Sequence, residues 1–482
     1  MVFSSMVFLC GFLPLVLIIY YLCPGRFRNF FLLIVSLFFY AWGEPKYISI
    51  MIFSTVFDYC NGRMMEYLEK KGSMKGRKAV LVLSVVINLG IMCFFKYTDF
   101  ILESINQFTG SGLELLELAL PIGISFYTFQ TLSYTIDVYR HKVPVQKNII
   151  NFGMYVSLFP QLIAGPIVRY CDVEKQIKDR KVRGQECALG MQRFLIGLGK
   201  KVILANQIGL LWSEISSLQP EELTVSAAWL GAIAYTFQIY FDFSGYSDMA
   251  IGLGKMFGFH FPENFQYPYQ SQSITEFWRR WHITLGTWFR EYLYIPLGGN
   301  RKGIIRHIFN MLVVWFLTGL WHGAGWNFIL WGLYFFVILL IEKLFLLKEM
   351  ENWHKIWKHL YSGVLIVIGW AIFACDNMEL LMRYMKTMFG VGAEWSNDIA
   401  VYYWCGYGLF LVVLSLASLE LPKKAATQLC RKLAVKSKKA EPAIIEEKLT
   451  FGLLAVYTFI ILLLCVAFLV SGSYNPFLYF RF

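Results

Sequence analysis

Residues 308–341 read IFNMLVVWFLTGLWHGAGWNFILWGLYFFVILLI, 34 residues without an Asp, Glu, Lys or Arg. As one straight helix the run would measure about 51 Å at ~1.5 Å per residue, against a hydrocarbon core of about 30 Å. It must tilt, break or divide. Gly319, Gly323 and Gly325 surround His322, and glycine admits a close approach of other backbone, so the break is expected there. His322 then sits well inside the membrane thickness. Kept from water, an imidazole favours its uncharged form, and a neutral ring is a base. The position suits a histidine that takes a proton from a hydroxyl in a water-poor cavity. A histidine satisfied by a neighbouring carbonyl or carboxylate fits the same residues. A zinc site fits less well, because no His or Cys stands three or four residues beyond His322.

The rest of the chain is of the same kind. Of 482 residues, 57% are hydrophobic, 18% aromatic and 16% charged, with a mean hydropathy of +0.52, more apolar than a soluble core requires. Charge-poor runs near 3–22, 30–42, 46–60, 79–95, 119–136, 150–168, 188–211, 225–259, 308–341, 360–374, 400–421 and 450–470 mostly approach the ~20 residues of a spanning helix. The expected fold is all-α, a polytopic integral membrane protein with about ten to twelve membrane helices, since helices satisfy their own backbone in lipid. The first run lacks a basic flank and a small-residue cleavage site, and reads as a retained helix. None of the ten cysteines forms a CxxC or CxxH pair, so they read as reduced packing residues with no metal site.

The net charge of +12 does not point to nucleic acid, because the excess lies in loops between apolar runs, the pattern of cytoplasmic loops. Arg26 and Arg28, residues 63–78, 169–183, 301–306 and 423–448 are therefore assigned to the cytoplasm, and the N-terminus to the outside. The last apolar run then delivers 471-SGSYNPFLYFRF-482 to the extracytoplasmic face. No internal repeat is visible. The chain reads as a single membrane domain, residues 1–482, with a basic cytoplasmic loop at 422–448 and a tail at 471–482.

Polar residues enter the membrane at three further places. In 159-FPQLIAGPIVRY-170, Pro160, Gly165 and Pro166 favour a re-entrant or broken segment over a continuous helix, with a Pro-kinked helix as the alternative. In 237-FQIYFDFSGYSDMAIGLG-254, Asp242 and Asp248 each cost about 2.5–3.5 kcal/mol unless paired, hydrogen-bonded or facing a polar cavity. In 276-EFWRRWHITLGTWFREYLYIPLGGNRKG-303, Trp278, Trp281, Leu285, Trp288 and Tyr292 form one stripe at helical spacing, so a helix is expected to lie at or enter the cytoplasmic interface. His282 lies on the flank of that stripe. Gly298, Gly299, Asn300, Arg301 and Lys302 follow, a loop able to cradle phosphate through backbone donors and two cations, or to serve as a positive-inside anchor.

These strings together resemble a known family. FQIYFDFSGYSDMAIGLG, NFQYPYQSQSITEFWRRWHITLGTWFREYLYIPLGGNRKG, TGLWHGAGWNFILWG, the terminal PFLYFRF and 121-PIGISFYTFQTLSYTIDVYR-140 closely resemble the membrane-bound O-acyltransferase family, in its bacterial alginate O-acetyltransferase branch, from end to end. The resemblance implies helices around a tunnel joining the two membrane faces. It implies His322 as the catalytic residue and His282 as the second tunnel residue, with Asp242, Asp248, Trp321 and Asn327 as expected supports. No bound cofactor is implied. The donor is a cytoplasmic thioester, acetyl-CoA or an acyl-carrier protein, for which Arg279, Arg280, Arg301 and Lys302 are the basic candidates. The expected partners are an extracytoplasmic hydrolase-like acetyltransferase and an exported polysaccharide, in the cytoplasmic membrane.

Rival readings are D-alanyl transfer to teichoic acid, peptidoglycan O-acetylation and, from another class, a proton-coupled transporter, which commonly shows two related halves. The tail 476-PFLYFRF-482 reads as an interfacial anchor, or as a relay in which Tyr479, its only hydroxyl, carries the acetyl group.

Overall fold

The computed structural model describes residues 2–163, 165–436 and 442–472. Among them the regular structure is helical, with no strand. Seven helices are long and apolar enough to cross a membrane: Met74–Thr109, Gly184–Ser216, Ile304–His322, Trp326–Met350, Lys355–Ala374, Asp398–Ala417 and Ile445–Ser471, with Val7–Leu22 a shorter apolar helix. Several other apolar runs are enclosed by protein. Residues 119–136 and 150–168 give the short helices Ile124–Tyr139, Ile149–Ser157 and Phe159–Leu162, whose side chains are nearly all buried. The chain breaks at Leu158, the freed Phe159 N–H donates to Ser36 Oγ at 3.1 Å, and Pro160 falls in the first turn of the next helix, where its missing N–H is harmless.

The 32-residue helix Val225–Met256 is the central pillar. Its Gln238, Asp242, Ser244, Ser247 and Asp248 are buried, too polar for lipid, and Gly184–Gly199, Asn206–Ser216, Lys355–Ala374 and Met378–Met388 pack around it. Against Gly184–Gly199 the two backbones nearly touch. A Cβ on Gly197 would stand 2.5 Å from the Gly245 carbonyl oxygen, and one on Gly245 2.8 Å from that of Gly197. Small residues at a membrane helix crossing permit this approach, and the approach delivers cations to the carboxylates. Lys201 Nζ lies 2.5 Å from Asp242 Oδ1, Lys200 Nζ 2.7 Å from Asp248 Oδ2, and Arg193 joins Asp248 to Glu263 at 2.6 Å each.

Two apolar cores meet along a seam. One gathers the N-terminal helices, Tyr246–Phe261 and Leu285–Tyr292; the other gathers residues 205–243, Ile274–Trp281 and much of the chain beyond Met311. The pillar crosses the seam between Phe243 and Tyr246, and the segment around His282 crosses it between Trp281 and Leu285.

The aromatic stripe of 276–292 does not lie on one helix. The structure has Ile274–Arg280, a break at Trp281 and His282, then Ile283–Phe289 and a π-helical turn Arg290–Tyr294. His282 adopts φ 44°, in the left-handed region, which no helical periodicity accommodates. Trp281, Leu285, Trp288 and Tyr292 are buried, so the segment enters the protein body. Within the stretch read as a basic loop, Leu421–Lys436 is helical and Pro442–Ser471 begins the last helix. Tyr479, like the rest of 473–482, lies outside the described residues.

Removing one member of a buried ion pair leaves an uncompensated charge, at a cost of about 3–5 kcal/mol, whereas replacing both by apolar groups is near neutral. Lys201→Met alone is expected to lower the thermal stability of the purified protein markedly, and Lys201→Met with Asp242→Leu to regain most of it. A double variant no more stable than the single one contradicts the pairing.

Candidate active site

The 34-residue run does not bend midway; it doubles back. Ile304–His322 ends at the histidine, Gly323 and Gly325 are extended at φ −168° and −163°, and Trp326–Ile341 returns. Gly319 faces the Phe328 carbonyl and Gly332 the Trp315 carbonyl, so closely that a Cβ at either would collide with backbone oxygen. This pairing makes the helices antiparallel. His322 therefore sits at the apex of a hairpin, at the end of a 19-residue helix about 28 Å long. At Gly323 the constraint is space, since an added Cβ would enter the Phe328 ring.

The His322 ring is buried and meets Trp321, Trp331 and Phe373 edge-on, at centroid distances of 5.0, 5.0 and 5.3 Å. Asn327 Nδ2 donates to the Phe373 carbonyl at 3.4 Å, tying the returning helix to the wall that faces His322. Trp321 stands between two imidazoles: its ring also lies 5.8 Å from that of His282. His282 is buried, edge-on to Phe243 at 4.7 Å. Its position is organised by Asn264, whose Oδ1 meets His282 Nδ1 at 3.2 Å and accepts from Thr284 N at 3.2 Å and Thr284 Oγ1 at 2.9 Å. The Asn264 carbonyl also accepts from Ile283 N at 3.0 Å, and Asn264 Nδ2 donates to Ser247 Oγ at 3.2 Å. At the start of the preceding helix, the buried Glu342 accepts from the backbone N–H of Ile274 and of Thr275, 2.7 Å each. Glu342 stands at the end of the returning hairpin helix, so one carboxylate links the elements that carry the two histidines.

A cavity of about 260 Å³ opens beside His322, lined by Trp321, Lys96, Glu44, Ile163 and residues 120–126. Lys96 and Tyr97 cap the hairpin's first helix. Lys96 Nζ donates to the Trp321 carbonyl and Tyr97 OH to that of Leu320 at 2.5 Å, satisfying carbonyls that a helix end leaves free.

The other residues singled out in the sequence lie elsewhere. Asp242 and Asp248 are held in the ion pairs of the pillar and do not line the cavity. Arg280 is engaged by Glu276 at 2.9 Å and by the Gln266 carbonyl at 3.1 Å, while Arg279, Arg301 and Lys302 are exposed. The amides of Gly298, Gly299 and Arg301 donate to Ile295, Tyr294 and Gly298 carbonyls, so they are not open to cradle a phosphate; the loop offers its two cations.

The structure thus brings a buried imidazole to the wall of a cavity within a helical membrane protein, and comparison with known proteins gives the class. Residues 141–383 match the membrane-bound O-acyltransferase family. The probable alginate O-acetylase AlgI of Pseudomonas putida is 41% identical over 100% of both chains. The peptidoglycan O-acetyltransferase of Helicobacter pylori is 34% identical over 81% of this chain and 80% of its own. The teichoic acid D-alanyltransferase of Bacillus subtilis is 26% identical over 50% of this chain and 62% of its own. The chain belongs to the membrane-bound O-acyltransferase family, in its alginate O-acetylase-like branch. It is a multi-pass membrane O-acetyltransferase.

Proposed function

We propose that this protein takes an acetyl group from a cytoplasmic thioester, acetyl-CoA or a charged acyl-carrier protein, and passes it through the membrane for O-acetylation of an exported polysaccharide. The observation that carries this reading is His322 at a hairpin apex, walled by three aromatic rings and opening on a cavity. A thioester is already activated, so the chemistry asks for a base at the attacking oxygen and a dry, oriented channel. A positioned base supplies about 10²–10⁴-fold, and orientation supplies much of the rest. His322 is the base and His282 lines the path to it. Asp242, Asp248, Trp321 and Asn327 hold its walls in place. The cations Arg279, Arg280, Arg301 and Lys302 draw the anionic donor to the cytoplasmic mouth.

In this reading residues 1–482 act as a single membrane domain in the cytoplasmic membrane. Both termini are extracytoplasmic and residues 422–448 face the cytoplasm. A hydrolase-like acetyltransferase outside the membrane completes delivery to the glycan. The alginate O-acetylase-like relatives favour a polysaccharide acceptor over the teichoic acid of the more distant ones. Topology is tested with a cysteine at Ser473 in a cysteine-free background. An impermeant reagent on intact cells is expected to label it; labelling only after permeabilisation reverses the assignment.

His322→Ala is expected to lower polymer acetylation at least ~100-fold, the smaller end of a general base's contribution, with the protein still present in the membrane. His282→Ala is expected to be severe as well. Near-normal acetylation by His322→Ala at equal protein level removes the base assignment.

Tyr479 is the proposed relay. It takes the acetyl group as a phenol ester, with its proton going to His322, and yields it to the outer partner, since phenoxide, with a parent pKa of ~10, leaves more readily than a sugar alkoxide. Tyr479→Phe keeps the ring and the interfacial affinity of the tail but has no hydroxyl. It is expected to abolish polymer acetylation; near-normal acetylation leaves the tail as an anchor.

A further inference from the structure

Three Lys or Arg residues are buried among the described residues: Arg77, Lys96 and Lys201. Lys201 has Asp242 at 2.5 Å, and Arg77 has Glu69 at 3.6 Å. Lys96 has no ion pair among the described residues; it donates to the Trp321 carbonyl and otherwise faces the cavity that it shares with His322. Glu44 lines the same cavity, with no ion pair to Lys96 among the described residues. A cation inside a membrane protein is costly and is ordinarily matched by an anion. Here Lys96 has the Trp321 ring at 6.0 Å but no carboxylate in ion-pair reach among the described residues, and the reaction at the neighbouring imidazole generates an anion.

We infer that Lys96 is a further catalytic residue, whose ammonium group binds the acyl oxygen as it becomes an oxyanion during transfer at His322. The inference rests on the reading of His322 as the base. The acceptor hydroxyl gives its proton to the imidazole, and its oxygen forms a bond to the acyl carbon. The carbonyl π pair moves onto the acyl oxygen, which Lys96 stabilises. That pair then re-forms the carbonyl, the C–S bond breaks, and the thiolate takes the proton from the imidazolium. Lys96 carries three N–H donors, of which the helix cap uses one. Its bond to the carbonyl of the residue just before His322 fixes the cation relative to the base. Preorganised donors of this kind act where charge develops and need no reorganisation at that moment.

A purely structural role would be shared with Tyr97, which caps the adjacent carbonyl without a charge, and this separates the two roles. The full-length protein is compared as wild type, His322→Ala, Lys96→Met, Lys96→Arg and Tyr97→Phe, by the initial rate of labelled acetate incorporation into polymer per unit of membrane protein. Lys96→Met is expected to lose about 10²–10³-fold, the usual effect of removing one oxyanion donor, with Lys96→Arg regaining a substantial part. Tyr97→Phe is expected to stay within about tenfold of wild type, the worth of one neutral hydrogen bond. If Lys96→Met does not accumulate, Lys96→Gln, which keeps a donor without the charge, is read by the same criterion. The inference is overturned by a charge-free Lys96 variant within about tenfold of wild type, or by a Tyr97→Phe variant as inactive as it. A wild-type rate in His322→Ala overturns the base assignment itself, and is seen separately from either result.

Discussion

The active region depends on how close two helix backbones can come. Gly319 against the Phe328 carbonyl and Gly332 against the Trp315 carbonyl set the spacing of the hairpin, and in lipid such contact replaces the hydrophobic drive that assembles soluble helices. Everything near His322 follows from that spacing. Trp331 meets the imidazole because the returning helix is pressed against the outgoing one, and Asn327 reaches the Phe373 carbonyl from the same helix. Glu342, at the far end of the return, grips the start of the segment that leads to His282. Side chains larger than glycine at these two contacts would move His322, its aromatic wall and the segment that carries His282 together.

The same device recurs at Gly197 and Gly245, where its product is electrostatic. Once two backbones touch, a lysine one turn on has no option but to lie beside a carboxylate, and the central helix can be polar without meeting lipid. The protein thus has two kinds of interior. In one, around the central helix, the buried carboxylates Asp242 and Asp248 are answered by lysine and arginine. In the other, beside the His322 hairpin, one imidazole, one indole and one lysine border open volume. Low polarisability around the second kind strengthens any charge that appears there.

The features legible in the sequence were those that a membrane's thickness enforces. A run of 34 uncharged residues had to tilt, break or divide, and it broke at the glycines beside His322; Asp242 and Asp248 had to find a partner or a polar cavity, and both are ion-paired. What escaped detection depends on contacts made across long stretches of chain. The stripe from Trp278 to Tyr292 has helical spacing, yet Asn264 and a left-handed His282 split it, and nothing in local periodicity registers an asparagine 18 residues upstream. Lys96 stood at the edge of an apolar run, where a lysine ordinarily reaches for the membrane surface. Only its partner, the Trp321 carbonyl 225 residues away, reveals that it points inward. The glycine-rich loop at 298–303 looked open because a sequence does not disclose that the amides of Gly298, Gly299 and Arg301 are already spoken for.

The Asn264 side chain has one more implication, which concerns where a single hydrogen resides. Its Oδ1 lies within bonding distance of the Thr284 backbone N–H, and a backbone N–H can only donate, so the amide is oriented with its oxygen toward that group. The same oxygen faces His282 Nδ1. Two acceptors cannot bond each other, so Nδ1 must carry the hydrogen, and the neutral ring is committed to the tautomer whose lone pair sits on Nε2. The enzyme thereby sets the chemical character of its second histidine by how it turns a loop asparagine: the hydrogen is held on the side that faces Asn264, and the basic nitrogen of the ring is the one turned away from that loop.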